Sequence, residues 1–92
     1  MGARWRVVGL GEQYRGGRTR HYVTVEVDAG DGSPTDYRTA WVDELRHARL
    51  QAEREAESRR AGRARARGAA AAEGWRDGPP PPWAEGGDEG AG

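Results

Sequence analysis

His21 and His47 are the only imidazoles in this 92-residue chain, which has no cysteine. These two facts bound the chemistry the sequence can offer. Thiolate nucleophiles, disulfides and cysteine metal sites are excluded, and the histidines lack the HxxxH or HExxH spacing of a zinc motif. Ser33 falls in a turn-forming stretch and Ser58 in a charged helical one, so neither hydroxyl has a histidine base beside it in sequence. Asp28, Asp31 and Asp36 are acidic enough to interest a hard cation, but their order is not the ladder of a calcium loop, and aspartate suits turns for its own reasons. Gly9, Gly11 and the residues between them resemble the start of a dinucleotide fingerprint. The sixth position is Tyr14, however, and no helix comes after it. The expectation is a non-enzymatic protein with no catalytic residues, no metal, no cofactor and no small-molecule substrate.

Binding chemistry is better supplied. Arg15, Arg18, Arg20, Tyr22 and Trp5 fall on one face of a strand pair, where guanidinium groups contact phosphates and aromatic rings offer stacking planes. Arg59, Arg60, Arg63, Arg65 and Arg67 then form a basic arm that can neutralise several phosphates. These ten residues are the candidate nucleic-acid contacts. A protein partner is the alternative, with Pro79, Pro80, Pro81, Pro82 and Trp83 as a proline-rich ligand, or an apolar strip that a second copy would cover.

The elements that must position these groups are legible from periodicity. Gly16 and Gly17 sit between two alternating segments, the signature of a tight hairpin turn. Pairing through them sets Tyr14 opposite Thr19, Glu12 opposite His21, Leu10 opposite Val23 and Val8 opposite Val25. Val8 and Leu10 then share a face with Val23, Val25 and Val27, with His21 as a rim residue beside Glu12. Trp5, Val7 and the two glycines fall on the other face, where the Tyr22 ring covers Gly11. A bulge at the glycines is the other way to build this hairpin. The stretch from Asp28 to Thr35 is a loop, and a third strand comes next over about 36–42, with no clear core side.

Asp43 is placed to cap a helix running from about Glu44 to Arg60. Leu45, Ala48, Ala52 and Ala56 make its apolar stripe, and His47 lies on its surface. Gly62 and Gly68 interrupt the helical pattern beyond Arg60. Residues 59–73 read as a partly helical basic linker and residues 74–92 as a disordered, acidic, proline- and glycine-rich tail. The fold class is therefore α+β: one domain over 3–58, with three antiparallel strands near 4–14, 19–27 and 36–42, then the helix. In outline the arrangement resembles SH3-like and other small β-barrels, a likeness of fold that implies no function.

Every basic side chain besides histidine is arginine, and Ala, Gly, Arg and Pro make up more than half the chain. That composition points to a GC-rich genome, bacterial or phage, and makes arginine alone a weak sign of phosphate binding. Net charge is zero but blocked: +3 over 1–27, −4 over 28–45, +5 over 46–68 and −4 over 69–92. The opening residues lack the apolar run of a signal peptide, and no stretch is apolar enough to span a bilayer, so the expectation is a cytoplasmic protein with no membrane partner.

Overall fold

The computed structural model describes residues 2–66, 68 and 74–84. Arg67, residues 69–73 and residues 85–92, which include part of the expected basic arm, linker and tail, lie outside it. Strand β1 is Arg4–Arg15, β2 is Arg18–Asp28, β3 is Asp36–Val42, helix α1 is Glu44–Ala66 and β4 is Arg76–Asp77, with a 3-10 turn after it at Pro82–Ala84. The strands form an antiparallel sheet in the order β3-β2-β1-β4. With β3 and β4 at opposite edges, the described strands make an open sheet, not a closed barrel.

Gly16 and Gly17 both have positive φ, 59° and 79°, as the turn chemistry requires. From Arg15↔Arg18 back to Gly9↔Thr24 the register is the one that periodicity dictates. It then shifts. A bulge between Val7 and Gly9 leaves Val8 as the extra residue, so Val25 faces Val7, and Trp5 faces Val27. One inserted residue reverses every side chain beyond it. Trp5 consequently joins the valine face, where it is 7% exposed, instead of the arginine face that the uninterrupted alternation gave it.

The core cluster comprises Trp5, Val23, Val25, Val27, Leu50 and Ala84, with Val7, Leu10, Val42 and Trp83 packed around it. Pairing across β2 also settles β3: Ala40 and Val42 share the valine face, while Tyr37, Thr39 and Trp41 point to the opposite side. Asp43 caps the helix, its Oδ1 accepting from the Arg46 backbone N–H at 2.7 Å. The helix then turns a different face to the sheet from the expected one. His47 and Leu50 are buried, whereas Leu45, Ala48 and Ala52 are exposed. The alanines have too little surface to set the rotation, and burying Leu50 outweighs burying them. The helix also continues through Gly62 to Ala66 instead of ending near Arg60. A single glycine costs about 1 kcal/mol relative to alanine, which the flanking Ala and Arg tolerate.

The largest departure is the segment expected to be a disordered tail. Residues 74–84 fold back and add the fourth strand. Gly78 N–H donates to the Ala3 carbonyl at 2.8 Å, and Arg76 pairs with Trp5 in the ladder. Trp83 meets the Trp5 ring edge-on at 5.9 Å, and Ala84 is buried. Arg76 reaches across to α1, donating to Glu53 and to Glu57, the latter at 3.4 Å. Glu57 is thus engaged by the returning chain. No helix among the described residues is long and apolar enough to cross a membrane.

Candidate functional site

The sheet has two faces. One is covered by α1; the other has no helix over it among the described residues and carries most of the remaining aromatics. Along β2 the uncovered face presents Arg20, Tyr22, Thr24 and Glu26, and β3 adds Tyr37, Thr39 and Trp41 beside them. Near the hairpin, the Arg20 guanidinium lies over the Trp41 ring, 3.9 Å from its centre. Tyr22 meets the same ring edge-on at 5.8 Å. The Tyr22 ring covers Gly11 across the pair so closely that a Cβ at Gly11 would overlap it. Arg15 and Arg18 face each other in the register at the exposed tip. Four of the expected contacts, Arg15, Arg18, Arg20 and Tyr22, therefore share one end of one face, with Trp41 as an addition that alternation alone did not single out. Trp5 is not among them, because the bulge sends it into the core.

The other end of this face is electrostatically closed. Arg4 Nε donates to Asp28 at 3.0 Å, and Arg6 Nε donates to Glu26 at 2.8 Å. Trp75 lies beneath both guanidinium groups, 4.2 and 4.6 Å from its ring centre. Glu26 also accepts from Thr35 Oγ1 at 2.7 Å and from Tyr37 Oη at 3.3 Å. Its carboxyl is held below the ordinary range, first by the Thr35 hydroxyl, then by the Arg6 guanidinium, with Tyr37 adding a smaller share against the cost of burial. Asp28 is lowered by the Gly30 backbone N–H and by Arg4, and Asp31 by the Ser33 hydroxyl and N–H. The loop aspartates Asp28 and Asp31 are thus spent on turns and an ion pair.

These depressed carboxyls make stability acid-sensitive. A group whose pKa is lower in the folded than in the unfolded chain adds stability above its unfolded pKa and loses it as pH falls through the folded value. Stability should therefore be flat above pH about 5 and fall progressively below it, where unperturbed carboxyls of about 3.9–4.3 begin to protonate. Urea midpoints measured from pH 7 to 3 test this. Glu26→Gln should reduce the decline.

The basic arm lies elsewhere. Arg59, Arg60 and Arg63 are exposed on α1, and Arg65 lies in its last turn. Because α1 covers the valine face, this cluster and the hairpin arginines belong to different layers and do not form one continuous patch. The proline-rich stretch is also placed differently from a free ligand: its Trp83 packs on Trp5 and carries the Arg46 guanidinium 5.4 Å above its ring.

A second constellation sits on the covered face. His21, half-buried, has Nε2 3.7 Å from Glu12 Oε1, in keeping with the rim pairing that the register implies. His47 departs from the helix-surface position expected of it. The Asp43 cap and the Leu50 anchor rotate it inward, where it is 7% exposed and its ring lies 4.8 Å from that of His21. Sequence spacing gave no sign of this approach, because β1, β2 and α1 each supply one member.

Compared with protein-family models, curated proteins and solved structures, the chain matches none of them, which leaves these two surfaces as the guide to what it does.

Proposed function

We propose that this is a small non-enzymatic accessory protein that binds single-stranded nucleic acid on the hairpin end of its uncovered sheet face. One observation carries the reading. Arg20 and Tyr22 both pack on Trp41 there, one over its ring and one edge-on, directly beside the exposed Arg15 and Arg18. A base can stack on a guanidinium plane or an aromatic ring, each such contact being worth about 1–3 kcal/mol, while the tip arginines contact phosphates. The opposite end of the face, with Arg4 and Arg6 engaged by acids, contributes less. Arg59, Arg60 and Arg63 add a sequence-independent attraction from the helix layer.

Anisotropy of a labelled oligonucleotide, measured across a salt series, tests the proposal. Phosphate contacts from Arg15, Arg18 and Arg20 contribute about −2 to the log–log salt slope on a single strand, and Arg15→Gln/Arg18→Gln should make the measured slope shallower by about 1.4. Affinity that is insensitive to salt, or unchanged when Arg20→Gln is added to that pair, overturns it. Truncation is not a clean test of the basic arm, since removing everything beyond residue 58 also removes β4 and the Trp83 contact.

A protein partner or second copy is the alternative, favoured by the edges of the sheet. β4 covers only Arg4 and Trp5 of β1, and Tyr37 on edge strand β3 is 62% exposed. Open edges pair readily with another strand. Light scattering on dilution distinguishes this reading by a mass that falls with concentration.

A further inference from the structure

We propose that Glu12, His21 and His47 bind a divalent transition-metal ion of the zinc type, joining the helix to the sheet. Each residue offers one ligand atom, and the three atoms lie within 4.8 Å of one another. Bonds of about 2.0–2.1 Å place ligand atoms of a tetrahedral site about 3.3 Å apart, so the cluster must tighten by up to about 1.5 Å at its widest. The Glu12 side chain is 59% exposed, and its carboxylate is already 3.7 Å from His21 Nε2.

A second observation points to a ligand independently of this grouping. His47 is more than nine-tenths buried, and its Nε2 has no hydrogen-bond partner among the described residues. Buried polar atoms are seldom left in this condition, because desolvation goes uncompensated. A neutral imidazole whose other nitrogen carries the proton presents a lone pair, and a metal ion satisfies it. A tilted pair of histidine rings would account for the ring contact at 4.8 Å but leaves that nitrogen unsatisfied.

Two imidazoles and one carboxylate suit zinc, cobalt, nickel or copper better than calcium or magnesium, which prefer all-oxygen shells. Three protein ligands also leave a fourth position for water. His21 lines an open cleft of ≈ 500 Å³ together with Asp43 and Glu44, so this ligand is reached from solvent. The ligands come from β1, β2 and α1, the three elements whose mutual packing defines this small core. An ion held there would clamp them in the way that small domains often require. Because the site lies on the covered face, it stands or falls separately from nucleic-acid binding.

The test is calorimetric titration of the metal-free full chain with Zn²⁺, alongside thermal melts with zinc and with excess chelator. One ion per chain is expected, with a melting temperature raised by zinc and restored by chelator. Glu12→Gln retains the fold because Glu12 is exposed, and it should weaken zinc at least about tenfold, as should His21→Gln. Bound Co²⁺ should show intense visible absorption that both variants diminish. Absence of saturable binding overturns the proposal. So does zinc binding that is unchanged in both substitutions, or one ion shared between two chains.

Discussion

Trp5→Ala should unfold most of this protein at room temperature. Trp5 is 7% exposed, and it belongs to the cluster formed by Val23, Val25, Val27, Leu50 and Ala84. Its ring is closed on one side by Trp83 at 5.9 Å, and the Arg76 guanidinium lies 5.1 Å from its centre. Replacing a buried tryptophan by alanine costs about 3–5 kcal/mol, and an aromatic pair adds about 0.5–1.5 kcal/mol. A core of this size rarely supplies more than about 3–5 kcal/mol in total. The loss therefore rivals the whole stability. Circular dichroism and urea unfolding would register it as a vanished or very low midpoint. A variant that melts within a few degrees of the parent would return Trp5 to the surface and remove the need for the bulge.

Ending the chain at residue 73 should do comparable damage, although the segment removed reads as a tail. The deletion takes away β4, so the Ala3 carbonyl loses Gly78 N–H. It strips Trp83 from Trp5 and empties the site of Ala84. Trp75 no longer supports Arg4 and Arg6, and Glu53 and Glu57 lose Arg76 and face each other on one side of α1. Trp83 is partly buried, so its packing contributes less than the about 3–5 kcal/mol of a fully buried tryptophan, and the loss of β4, of Ala84 and of the Arg76 ion pairs makes up the rest. The truncated chain should bind a hydrophobic dye and exchange its β1 amides rapidly. Trp83→Ala in the full-length chain should be destabilised less than the truncated chain. A truncated chain with the parent's melting temperature would show that residues 74–84 only decorate a finished fold.

The parts of this fold that could be read in advance are those set by local rules. Gly16-Gly17 determined the turn, period-two alternation determined the pairing as far as Gly9, and Asp43 determined where the helix starts. The failures have equally specific causes. Val7 and Val8 are adjacent and alike, so either could face the core, and only tertiary packing chose between them; Trp5 moved with that choice. Strand β3 offers apolar side chains on both sides, so its orientation came from β2. Leu45 and Leu50 lie on different helical faces, and the sheet selected Leu50. In residues 74–84, a composition typical of disorder outweighed the one contrary signal, the two tryptophans, whose exposure to water would be unfavourable. At the candidate interface, Arg20 and Tyr22 were visible from alternation while Trp41 required the β2–β3 register. The approach of His47 to His21 and Glu12 joins three elements, and no local spacing encodes it.

The contact between Trp5 and Trp83 also sets the order of folding. The hairpin closes locally on a timescale of about 1–10 μs, and the helix relaxes faster still. Neither can complete the core, because one wall of it lies at the far end of the described chain. Docking that wall closes a very long loop, and contacts of such separation slow folding. Until it happens, Trp5 lacks its Trp83 cover and β1 lacks the short strand beside Arg4 and Trp5. Such an intermediate is the species most exposed to aggregation. The C-terminal segment thus acts as a timing element, ending that vulnerable interval when Trp83 seats against Trp5.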